Sequence, residues 1–383
     1  MRWIPLAAVS IALAAPGVAS ADTVVAMGDS AISGEAGRWA GNTNQAASKT
    51  DALGASAYND AGGAEATPGC HRSKAAEVHI GDGLRSVNLA CSGARTYSRT
   101  SDGKWKPGID FAVSGANKGQ ARMLQDLATT DQNIKAVVVL IGANDYGFAD
   151  ILETCVTNWI TSPSWWKNYC HDDASMTAMF SAANINAITA NVRAAFTRIK
   201  QAMANAGYSE SRYEILAQTY SAPLPLSGGM RYPESGWSRQ SVGGCGAWNA
   251  DINWARNTVV ETLNTSVKNA VAGMSNVQLL DAVGALYGRR LCENTVGVLE
   301  EKGIATWQSP GAVDKTEWVH QIRTVSTIFG PYQLQEDGHP NYWGQLALRN
   351  CFRQAYNGGA PRGGSCARGN GLNAKGEPNM SLQ

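Results

Sequence analysis

The chain has 383 residues, with 32 Lys and Arg against 31 Asp and Glu, for a net charge of +1. That balance gives no electrostatic footprint for nucleic acid or for an anionic membrane surface. Only 16% of residues are charged and 41 are glycine, which suits a compact chain with long loops.

Residues 1–21 read as a secretory signal. Met1-Arg2 is basic, Ile4 to Ala15 is a short apolar run, and Ala19-Ser20-Ala21 is a small-residue exit. The run is too short to span a bilayer, and no later segment is apolar enough to do so. The expected mature protein is secreted, starts after Ala21 and inserts in no membrane. Its eight cysteines suit an oxidising compartment. No Cys-x-x-Cys pair is present, so a zinc ribbon or redox centre is not expected, and no metal is assigned. The simplest pairing is sequential: Cys70–Cys91, Cys155–Cys170, Cys245–Cys292 and Cys351–Cys366.

In chain order, residues 23–27 read as a strand that breaks at Gly28-Asp29-Ser30. Residues 36–67 are loop and 73–80 a short helix. A second strand at 86–90 ends at Cys91-Ser92-Gly93-Ala94, and 95–114 is loop. Helical spacing returns at 120–128. Residues 134–141 form the clearest strand, an unbroken β-branched run of the kind buried on both faces of a parallel sheet. It stops at Gly142-Ala143-Asn144-Asp145. Between Cys155 and Cys170 the aromatics Trp159, Trp165, Trp166 and Tyr169 read as core under a disulfide. Helix 182–205, strand 213–217, helix 249–271 and strand 277–281 follow. Residues 292–336 are irregular, 342–355 form a last helix, and 358–383 read as a glycine-rich tail. Strands alternating with helices predict a three-layer α/β/α sandwich around a central parallel sheet.

Apolar runs thus deliver Ser30, Gly93 and Asn144 to one rim of that sheet, where ligand sites of open α/β sheets gather. Ser30 is a candidate nucleophile. A serine needs a base, and His339 is the best placed of five histidines. It follows Glu336 and Asp337, sits between Gly338 and Pro340, and precedes the last helix. Backbone N–H groups and the Asn144 amide suit an oxyanion site.

These four blocks, in this order, resemble the SGNH (GDSL-type) hydrolases, and the resemblance covers most of residues 22–357. Cys70-His71-Arg72-Ser73, Ala90-Cys91-Ser92-Gly93-Ala94 and Ile141-Gly142-Ala143-Asn144-Asp145 are similar to secreted actinobacterial members. The resemblance implies a flavodoxin-like sheet, no cofactor, Ser30 as nucleophile and His339 as general base. It implies an oxyanion hole made by Ser30, Gly93 and Asn144. It also implies an ester substrate, lipid or simple acyl. A monomer is the expected state. One departure concerns the acid. The family's Asp stands three residues before His, and here that position is Glu336. Glu336 is the expected orienting acid, with Asp337 or a backbone carbonyl as alternatives. A carbohydrate O-acetyl esterase and a non-catalytic binder of glycan or cell wall are the rival functions.

Overall fold

The computed structural model describes residues 21–323 and 330–383. The expected signal therefore lies, apart from Ala21, outside the described residues.

A seven-stranded sheet forms the centre. Its strands are β1 (Thr23–Gly28), β2 (Arg85–Asn88), β3 (Ile134–Leu140), β4 (Glu214–Gln218), β5 (Val277–Asp281), β6 (Gly364–Leu372) and β7 (Pro378–Leu382). The spatial order is β7-β6-β5-β4-β3-β1-β2, and every pairing is parallel except that of β6 with β7. Read from the other edge, the first five strands follow the 2-1-3-4-5 order of flavodoxin-like sheets. Strand order reverses between β1 and β3, and a crevice opens at such a switch point beyond the strands' carboxyl ends.

β1 and β3 are interior strands because their side chains are apolar on both faces. All of β1 is buried, as is β3 except Lys135. On one side α2 (Gln120–Thr130), α4 (Ala182–Asn205) and α6 (Glu261–Val271) pack on one another. Val192, Phe196, Ile199 and Met203 point into the core from α4. α7 (Tyr342–Tyr356) packs on β6 and β7, opposite this layer. The remaining named helices are α1 (Ser30–Ser33), α3 (Phe148–Thr161) and α5 (Asn249–Trp254). α5 runs into α6 through a π-helical turn, Ala255–Val260, so the expected single helix is continuous but distorted.

Three expectations are corrected. Residues 73–80 form turns and not a helix. The glycine-rich tail is not loop: β6 and β7 extend the sheet, β6 pairing with β5 at Gly364 and Ser365. Glycine hides strand alternation from the sequence, while the ladder and the Cys351–Cys366 disulfide hold the segment in place. The aromatic lobe is only partly core. Trp159 is buried, whereas Trp165 and Trp166 are 81% and 73% exposed.

The eight sulfurs form the four sequential disulfides. Cys70–Cys91 joins residues beside the nucleophile turn to the turn that carries Gly93. Replacing both cysteines by serine is expected to cost about 2–4 kcal/mol, read as a lower urea midpoint with an unchanged slope.

Candidate active site

The turn that carries Ser30 is built by Gly28. Its φ is +134°, and a β-carbon there would lie 1.9 Å from the Leu140 carbonyl oxygen of β3. Only glycine lets the two strand ends close so tightly. The side chain of Gln120, first residue of α2, clamps the turn. Its Oε1 accepts from the Gly28 N–H at 2.7 Å, and its Nε2 donates to the Gly28 and Pro107 carbonyls at 2.8 Å. Asp29 caps α1 by accepting from the Ala31 N–H. Its other oxygen accepts from the Tyr220 hydroxyl, which itself accepts from the Ala143 N–H at 2.9 Å. Burial pushes the Asp29 carboxyl up to about 7. Tyr220 thereby ties together the ends of β1, β3 and β4, the three strands that face the crevice.

Ser30 Oγ lies 2.7 Å from His339 Nε2. The histidine comes from the loop before α7. That loop is pinned to residues 318–320: the His320 N–H donates to the His339 carbonyl at 2.8 Å, and the Gly338 N–H to the His320 carbonyl at 3.1 Å. Gln345 Nε2 donates to the Ala31 carbonyl at 2.9 Å and so joins α7 to α1. Asn341 caps α7 and donates to the Glu317 carbonyl. Removal from water pushes the His339 pKa below its ordinary value, which keeps the ring neutral and able to accept a proton.

Glu336 does not orient the histidine. Its carboxylate accepts from Trp39 Nε1 at 2.8 Å, the Tyr58 hydroxyl at 2.5 Å and the Gln333 N–H at 2.9 Å. Its hydrogen bonds go to those three groups and not to the His339 ring. Nor does the Asp337 side chain take that place. Oδ2 accepts from the Arg323 N–H, and Oδ1 lies 3.6 Å from His320 Nδ1. Burial drives the Asp337 carboxyl up to about 8. The group facing His339 Nδ1 is the Asp337 main-chain carbonyl, at 3.1 Å. A carbonyl only accepts, so Nδ1 carries the proton and Nε2 is left free to take the serine's.

Asn144 follows β3, and Nδ2 donates one N–H to the Ala94 carbonyl at 2.9 Å. Its second N–H is free for a ligand. Asp145 holds the neighbouring turn by accepting from Thr96 N and Oγ1. Ser30, Asn144 and His339 line one cavity. Gly93 is not in its wall. It occupies the adjoining turn with φ +75°, a conformation suited to glycine. Ser30 is the first residue of α1, so its N–H has no acceptor inside that helix. Asn144→Ala is expected to lower kcat by about 10²–10³ with little change in KM, in line with loss of one oxyanion donor.

Sequence reasoning missed Gln120, Tyr220 and Glu35. Glu35 is fully buried, and its Oε1 lies 2.6 Å from Nδ1 of His71, which has φ +49°. Adjacency to the nucleophile block was the one available signal for Glu35. Among the described residues, no group of three or more His, Cys, Asp or Glu is arranged to hold a metal ion.

No family model and no curated protein matches the chain. Solved structures do. The chain is similar to an extracellular lipase from Streptomyces rimosus, at 18% identity and TM-score 0.46, over 88% of this chain and 100% of that one. It is similar to phospholipase A1 from Streptomyces albidoflavus, also at 18% and 0.46, over 87% and 99%. A carbohydrate acetylesterase from Sinorhizobium meliloti matches at 11% and 0.31, over 68% and 83%.

Proposed function

We propose that the chain is an exported serine ester hydrolase of the SGNH type, acting on carboxylic esters with an apolar acyl group. The observation that carries this reading is the 2.7 Å contact of Ser30 Oγ with His339 Nε2 at the mouth of an apolar cavity.

His339 Nε2 takes the Ser30 proton as Oγ attacks the ester carbonyl carbon. The oxyanion is assigned to the Ser30 N–H and the Asn144 amide, with the Gly93 N–H contributing from the adjoining turn. The carbonyl re-forms as the alkoxide leaves with the proton from the His339 imidazolium. Water then gives a proton to His339 as it attacks the acyl-Ser30 carbonyl, and the imidazolium returns that proton to Ser30 Oγ as the acid leaves. The Asp337 carbonyl holds the ring through Nδ1–H.

Cavity chemistry supports the acyl preference. Leu140, Phe148, Val260, Leu263, Leu286 and Val319 dominate its wall. A second apolar cavity shares Phe148, Pro223 and Val260 with the first. Together they offer an apolar surface along α3 and the π-helical turn. Residues 22–357 carry every assigned site residue, and 358–383 complete the sheet beside them. Four disulfides support export. Among the described residues no helix is long and apolar enough to cross a membrane.

The test uses purified protein and p-nitrophenyl butyrate. Turnover with an acyl group on the protein in a rapidly quenched sample is the expected result. Hydrolysis confined to acetylated carbohydrate would favour the acetyl-esterase rival, and no turnover of any ester would favour the binder.

A further inference from the structure

In a catalytic triad a carboxylate stabilises the imidazolium formed during the reaction. His339 has only a carbonyl at Nδ1, and neither Glu336 nor Asp337 presents a carboxylate to it. A bare imidazolium in a water-poor site is costly, so its charge needs a partner elsewhere.

One buried carboxylate near the dyad is unused by the mechanism. The Glu35 N–H donates to the Ser30 carbonyl at 3.1 Å, which fixes Glu35 directly behind the nucleophile. Its side chain is fully buried and meets His71 Nδ1 at 2.6 Å. The His71 ring stacks on Tyr58 at 4.7 Å, and Tyr58 bonds Glu336. The His339 N–H in turn donates to the Glu336 carbonyl. The Glu35–His71 pair is thus bracketed by Ser30 on one side and the His339 loop on the other. We propose that Glu35 is a positioning residue whose buried charge replaces the missing triad carboxylate, stabilising the His339 imidazolium through space. The proposal rests on the hydrolase reading above.

The surrounding charges leave that role intact. His71 is held protonated by Glu35 and, at 3.5 Å, by Glu65. Glu35 favours the charged His339 more strongly than His71 disfavours it. Lys106 also faces Glu35, but its Nζ donates to the Gly69 carbonyl at 2.6 Å. His320 is buried and held neutral, and the Asp337 carboxyl is neutral up to about 8. Burial also raises the Glu336 carboxyl, whose oxygens are taken by Trp39, Tyr58 and Gln333. Glu35 stays ionised through His71, with His339 and the Ser92 side chain adding to the effect.

Glu35→Gln keeps the shape and removes the charge. The experiment measures kcat/KM for p-nitrophenyl acetate against pH, and in parallel the pH dependence of inactivation by a fluorophosphonate. Without the negative charge the imidazolium is less favoured, so the acid limb should move to lower pH by about 0.5–1 unit. The weaker base should also lower the plateau about tenfold, with KM unchanged. A merely structural role would lower activity at every pH and leave the limb in place, and that result overturns the proposal. If Glu35→Gln fails to fold, His71→Asn decides: removing the positive charge paired with Glu35 should move the limb to higher pH, and an unmoved limb overturns the proposal. Wild-type protein that fails to react with the fluorophosphonate would instead remove the hydrolase reading itself.

Discussion

Ser30→Ala is expected to lower kcat/KM for p-nitrophenyl butyrate by about 10⁴–10⁶, equivalent to roughly 5–8 kcal/mol of lost transition-state stabilisation. The loss should fall on kcat, because the apolar side chains of the proposed acyl cavity are unchanged. Folding should survive. Ser30 Oγ makes its close contact with His339, whereas the main chain of the turn is held by Gln120, Asp29 and Tyr220. A thermal midpoint close to wild type with activity gone separates chemistry from structure. Ser30→Ala that keeps full activity would place the chemistry elsewhere.

His339→Ala should cost about 10⁴ or more in kcat, and the double variant with Ser30→Ala should be little worse than either single one. That non-additivity is the signature of two side chains acting as one unit. The pH profile adds a second reading. A base is active when deprotonated, and His339 is held below the ordinary 6.5. Activity should therefore persist as pH falls through 6.5 and be lost only further down. An acid limb at or above 6.5 would contradict the neutral, water-poor setting of the ring. Glu336→Gln should leave the limb where it is, since that carboxylate is engaged by Trp39, Tyr58 and Gln333.

The parallel strands were legible because their burial on both faces writes itself as unbroken apolar runs, as in residues 134–141. Each run's end at Gly or a polar residue marked the rim, and so Ser30 and Asn144 met in one cavity with His339. The third member behind His339 was not legible. Sequence shows which side chains stand near a histidine along the chain, not which are already bonded to residues nearly 300 positions away, as Glu336 is to Trp39. A main-chain carbonyl leaves no mark in residue type at all. Gln120 escaped notice because a helix-opening glutamine is ordinary until its partner is seen to be the Gly28 turn. Trp165 and Trp166 read as core from their chemistry alone, yet they lie outside the packed end of α3. In β6, glycines at 364, 369 and 371 erased the alternation that marks a strand.

The central claim is that Ser30 is a nucleophile activated by His339. Treating the purified full chain with a fluorophosphonate and mapping the adduct by mass spectrometry tests it most directly. The account predicts one adduct per chain, on Ser30, absent in Ser30→Ala and strongly slowed in His339→Ala. An unlabelled protein, or an adduct on any other residue, would contradict it.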